Sequence, residues 1–129
     1  MNELENNALF WQKLDTIYLS SKLEVDRPKN STHYKYSNLI YPVDYGYLKD
    51  TTGSDMSPID VFRGSLPSTQ VQAALVSADI LKKDCEVKLI VGCSEEEVYD
   101  ILVFLNQTEF QKALLVRRGS EVPEWGSND

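Results

Sequence analysis

At 129 residues, with 42% hydrophobic and 26% charged residues, the chain suits one domain and is too apolar to belong with disordered segments. Its formal net charge is −7 and its lysines and arginines are scattered, which argues against general nucleic-acid binding, since a phosphate backbone needs a concentrated basic surface. No apolar stretch approaches the ~20 residues of a bilayer span, and the start of the chain lacks a basic segment followed by an apolar core, so a cytoplasmic protein with no membrane segment is expected.

In chain order, residues 4–19 place Leu9, Phe10, Lys13, Leu14, Ile17 and Tyr18 at helical spacing, and residues 1–20 are read as an N-terminal helix laid on the body of the protein or on a second copy in a homo-oligomer. Leu23 to Asp26 alternates as a short strand that Pro28 ends. From Lys29 to Gly53 neither period is sustained, and the stretch is rich in tyrosine, asparagine, proline and glycine. It reads as a long ordered loop of the kind that carries function. Strands are expected at Ile59–Arg63, Val71–Ser77 and Asp84–Val91. In the last, Asp84, Glu86, Lys88 and Ile90 share one face while Cys85, Val87, Leu89 and Val91 share the other. Ser94 and Glu97 form a capping box ahead of Val98, Ile101, Leu102 and Leu105, which marks a second helix. Ala113–Val116 reads as a closing strand and 119–129 as a loose tail of a single domain spanning 1–129. Cys85 and Cys93 lack the paired spacing of a zinc site and are read as small buried hydrophobes.

The chemistry sits in two segments. In Asp55-Met-Ser-Pro-Ile-Asp60 two carboxylates flank a proline at a turn leading into a strand. Acidic residues at turns are commonly plain solvated turn formers, but two or three converging carboxylates are also what a magnesium ion needs, because it takes oxygen ligands and keeps several waters. Asp84, Glu86 and Lys88, on one strand face, have the layout required to meet an ion-bridged anion. In an acidic protein that handles an anion, cations must be recruited locally, and metal ions are the usual device.

Tyr41-Pro42-x-x-Tyr45-Gly46, followed at fixed distance by Asp55, Pro58, Asp60 and Val61, resembles the linked signature of the family I soluble inorganic pyrophosphatases. Leu81 to Leu89 is similar to that family's strand bearing two further metal-binding aspartates and a phosphate-binding lysine. The resemblance spans residues 23–92. It implies an α+β fold built on a small closed five-stranded barrel of the oligonucleotide-binding type with flanking helices, and Mg²⁺- or Mn²⁺-dependent hydrolysis of pyrophosphate. By carry-over, Asp55, Asp60 and Glu86 share one divalent ion, Asp84 helps hold another, and Tyr45 and Lys88 contact phosphate. Upstream, one alignment makes Arg27 a phosphate-binding arginine; the other makes Glu24 a metal ligand and Lys35 a phosphate-binding lysine.

The chain departs from the family motif at two positions, its N-terminal hairpin is reduced, and near Asn106 it has no equivalent of the family's later tyrosine-lysine phosphate pair. Ser57 stands where the family has the aspartate thought to activate water, and Met56 replaces a glycine. A serine hydroxyl is a poor general base near neutrality. The resemblance therefore leaves two expectations: a metal-dependent pyrophosphatase, or a catalytically weak or inactive relative that binds a phosphorylated small molecule or a protein partner.

Overall fold

The computed structural model describes residues 5–124. The first four residues of the expected helical segment and residues 125–129 of the expected loose tail lie outside the described residues.

Helix α1 (Ala8–Ser20) starts later than the periodicity suggests, because the Asn7 side chain accepts hydrogen bonds from the amides of Leu9 and Phe10 and fixes the first turn there. Its anchor is Trp11, which is 1% exposed, while Phe10, expected on the packed face, is 57% exposed. Six strands follow: β1 (Leu23–Arg27), β2 (Asp44–Leu48), β3 (Asp60–Arg63), β4 (Val71–Asp79), β5 (Asp84–Val91) and β6 (Gln111–Arg117). Helix α2 (Glu95–Asn106) lies between β5 and β6. The expected capping box is present, with the Ser94 hydroxyl accepting from the Glu97 amide at 3.1 Å and the Glu97 carboxylate accepting from the Ser94 amide at 2.9 Å.

The strands form one sheet in the order β1-β2-β3-β5-β4-β6, with β3 and β5 parallel and the other neighbours antiparallel. The α+β class holds, but the closed five-stranded barrel does not form. The sheet has six strands, with β1 and β6 as its two edges. Closure is unnecessary because each face has its own cover. Trp11, Leu14 and Ile17 of α1 pack with Leu48, Val61, Val71, Leu89 and Val91. Val98, Ile101 and Leu105 of α2 pack with Val43, Phe62, Leu75 and Ile90. Each large apolar side chain so buried contributes about 1.5–3 kcal/mol.

Alternation along β4 and β5 supplies both faces, and a bulge keeps β4 in step: Val71 pairs with Val91 and Ala73 with Ile90. The extra residue, Gln72, uses its side-chain amide to clamp both the N–H and the carbonyl of Cys93. The two cysteines part company here. Cys93 is buried, whereas Cys85 is exposed, since the start of β5 runs past the apolar cluster under α1. At the other end Asp15 of α1 accepts hydrogen bonds from the Val71 amide and from both Arg118 guanidinium nitrogens, tying helix to sheet. Residues 119–124 are tethered too: the Glu121 carbonyl accepts from the Ala8 amide, and Pro123 is buried.

Candidate functional site

The parallel pairing of β3 with β5 sets Asp60 opposite Lys88, and the antiparallel pairing of β2 with β3 sets Tyr45 beside Phe62. The result is a polar hub around an ammonium group. Lys88, 8% exposed, donates to the Tyr45 hydroxyl at 2.7 Å, to Glu86 at 3.0 Å and to Asp60 at 3.1 Å. Burial alone would make this lysine a weaker base, but the Tyr45 oxygen, Asp60 and Glu86 outweigh it and hold the ammonium charged above its ordinary range. Burial likewise keeps the Tyr45 phenol protonated, with the Lys88 ammonium donating to its oxygen. Glu86, which burial would push up, is held below the usual carboxylate range by Lys88. Next to it Asp84 is pushed up by desolvation and by the hydrogen bond and charge of Glu86.

This hub forms part of the wall of a cavity of about 250 Å³. The opposite wall is the loop between β1 and β2. That loop is held by backbone hydrogen bonds between Asn30 and Tyr41, Tyr41 and Ser31, and His33 and Leu39. Its turn is set by His33, whose Nδ1 accepts from the amides of Lys35 and Tyr36. The rings run on from there: His33 stacks on Tyr34 at 4.8 Å, Tyr41 on Tyr45 at 5.4 Å, and Tyr45 lies 4.7 Å from Phe62.

Three cations reach the same cavity from different segments. Arg27 comes from the end of β1, Lys35 from the loop and Lys82 from the β4–β5 turn. Among the described residues none of the three forms an ion pair with a carboxylate. Arg27 and Lys35 lie 5.8 and 5.7 Å from the ring centres of Tyr34 and Tyr36, and Lys82 is presented by Asp79, whose buried carboxylate accepts from the Leu81 and Lys82 amides. His33 registers this field. Its pKa falls below the ordinary value through burial first, then through the charges of Lys82, Arg27 and Lys35.

No protein-family profile and no curated protein sequence matches the chain. Among solved structures it is similar to an inorganic pyrophosphatase from Neisseria gonorrhoeae, with a TM-score of 0.52 at 14% identity over 75% of each chain. The chain has the fold of the inorganic pyrophosphatases. An inorganic pyrophosphatase from Helicobacter pylori matches with a TM-score of 0.49 at 18% identity, covering 75% of both chains. An inorganic phosphatase from Anaplasma phagocytophilum matches with a TM-score of 0.48 at 15% identity, covering 75% of this chain and 74% of that one.

Within this pyrophosphatase fold the predicted site residues divide. Tyr45, Lys88, Arg27, Lys35, Asp84 and Glu86 all line the cavity, and Asp60 joins them through Lys88. Asp55 and Ser57 do not. They sit on an exposed turn, where the Asp55 carboxylate accepts from the Ser57 amide at 3.1 Å and neither residue lines the cavity. Glu24 lies on β1 and is 3.7 Å from Lys49. Sequence reading passed over His33, Asp79 and Lys82. The single histidine inside a tyrosine-rich loop was the available signal for the first.

As for metal, no group of three or more His, Cys, Asp or Glu side chains among the described residues is arranged to hold an ion. The Lys88 ammonium already bridges Asp60 and Glu86. What does fit a cation is the Asp84–Glu86 pair, two adjacent carboxylates that raise the proton affinity of one of them. Two carboxylates suffice for a Mg²⁺ ion that keeps most of its waters.

Proposed function

We propose that the chain binds the diphosphate group in this cavity and hydrolyses its anhydride bond. What carries the reading is that a chain with net charge −7 directs Arg27, Lys35 and Lys82 into one cavity without giving any of them a carboxylate partner among the described residues. Lys13, Lys22, Lys29, Lys83 and Lys112 lack ion pairs among the described residues as well, so it is the convergence of these three on one cavity that suits it to the several oxygens of a polyanion. Asp84 and Glu86 would hold a hydrated Mg²⁺, whose chemistry when bound is to offset phosphate charge and make water more nucleophilic.

The chain's own groups supply the remainder. Arg27, Lys35 and Lys82 bind and orient the phosphate oxygens and offset the charge that builds on the leaving phosphate as the bridging P–O bond breaks and a water oxygen bonds to phosphorus. Tyr45, kept protonated, offers a neutral hydroxyl, and Lys88 fixes its position. A reducing cytoplasm suits the exposed, unpaired thiol of Cys85.

One observation favours a second reading, in which the site binds a diphosphate and turns it over slowly or not at all. Lys88 engages Asp60 and Glu86, and Ser57 lies outside the cavity lining, so no carboxylate base is poised where the resemblance expects one. Phosphate release from pyrophosphate in Mg²⁺, compared between the wild type and Asp84→Asn, separates the readings. Release that falls at least tenfold in the variant supports hydrolysis. Binding of pyrophosphate without release supports the second reading, and absence of both binding and release sinks the two together.

A further inference from the structure

We infer that the ligand of this cavity is an organic diphosphate carrying a planar aromatic group, a nucleoside diphosphate in chemical class, rather than inorganic pyrophosphate alone. The inference rests on reading the cavity as a diphosphate site and adds the identity of what the diphosphate is attached to. The cavity wall is only partly ionic. Tyr36, Phe104 and Phe110 line it together with the charged groups, and a fully ionic ligand gains nothing from apolar walls and loses hydration against them. A ligand with one charged end and one flat end uses both.

The flat end has a seat. Tyr34 is 75% exposed, so its ring serves no core. It is stacked on His33 at 4.8 Å and 21°, with the Arg27 guanidinium 5.8 Å from its centre. A continuous run of ring contacts leads inward from it: His33 to Tyr41 at 6.3 Å, Tyr41 to Tyr45 at 5.4 Å, and then the Lys88 ammonium 5.2 Å from the Tyr45 ring. An aromatic base stacked on Tyr34 therefore lies on a path that ends among the cations. A separate observation comes from the segment after α2. The Thr108 hydroxyl, on a residue lining the same cavity, is buried without a hydrogen-bond partner. Such groups are normally satisfied, and rotation of this side chain toward the cavity would let a sugar hydroxyl or base edge satisfy it.

The test is titration calorimetry of the full chain in Mg²⁺ with ADP and with pyrophosphate, for the wild type, Tyr34→Ala and Tyr34→Trp. Because Tyr34 is exposed, both variants should fold. Stacking of a base on an aromatic side chain predicts that ADP binds about tenfold tighter than pyrophosphate. It further predicts that Tyr34→Ala removes most of that advantage without weakening pyrophosphate, and that Tyr34→Trp keeps it. Equal or weaker binding of ADP overturns the inference while leaving the diphosphate site intact. An ADP advantage that survives Tyr34→Ala, or an equal loss for both ligands, also overturns it. Failure of both ligands to bind the folded wild type instead overturns the reading on which the inference rests.

Discussion

Met56 shows how far one residue can stray from what its backbone prefers. It occupies the turn position where the resembled family has glycine, and its φ is 68°, in the left-handed region that costs a side-chain-bearing residue roughly 1–2 kcal/mol. Its side chain is 83% exposed and so gives little packing in return. Met56→Gly is expected to stabilise the fold by up to about 1 kcal/mol, after glycine's extra chain entropy is subtracted, measurable as a rise in the urea midpoint. Lys88 is the opposite case, a residue whose removal leaves others stranded. Lys88→Met leaves Asp60 and Glu86 as partly buried carboxylates without their cation and is expected to destabilise by about 3 kcal/mol. Adding Asp60→Asn and Glu86→Gln to that variant should recover much of the loss, because the uncompensated charges go with them. The same pair has a pH signature. Burial raises the Glu86 pKa but Lys88 lowers it further, to a net position below 4.5. Glu86 therefore contributes stability above that pH and loses it as the pH falls through the folded value. Lys88→Met should flatten this acid limb in denaturation measured from about pH 3 to 6.

At the scale of elements, the loop between β1 and β2 and the strand that ends it decide the shape of the site. Gly46 is central in β2, and a Cβ there would run into the Glu24 carbonyl of β1. Gly46→Ala is expected to cost about 1–3 kcal/mol through overpacking and to weaken diphosphate binding by moving Tyr45, its neighbour; unchanged stability and affinity would contradict the close approach of the two strands. His33 reports on the loop. Its pKa lies below 6.5 in the free protein, so the folded chain resists a proton that the unfolded chain accepts, and stability is lost as the pH falls below 6.5. An anion placed among Lys82, Arg27 and Lys35 should move the His33 pKa upward in an NMR titration. Much of this was legible in sequence where side chains repeat with a period. The capping box at Ser94 and Glu97 and the charged face of Asp84, Glu86 and Lys88 stand as the spacing predicts. Strand β2 was hidden because its only alternation, Tyr45 and Tyr47 about a glycine, resembles its irregular surroundings. Trp11 was missed because one large side chain can anchor a helix whose periodic pattern points slightly elsewhere. The number of strands and the open edges were not readable at all, since closure depends on what covers the two faces and not on any local pattern.

Taken as a whole, the molecule is a six-stranded sheet with a helix on each face and a cavity whose wall includes the end of β1, β2, β5, α2, two loops and a turn. The cavity brings both signs of charge together: Arg27, Lys35, Lys82 and Lys88 line it with Asp26, Asp79, Asp84 and Glu86, and of these four cations only Lys88 has ion-pair partners among the described residues. The convergence of three cations without ion-pair partners is what suits it to a polyanion, and Arg27→Ala combined with Lys82→Ala is expected to weaken diphosphate binding at least tenfold with little effect on stability. The most direct test is the phosphorus NMR spectrum of pyrophosphate mixed with the protein and Mg²⁺. A bound site predicts a broadened, displaced diphosphate signal that gives way over time to that of inorganic phosphate. A signal that stays sharp, in place and undiminished would contradict the account.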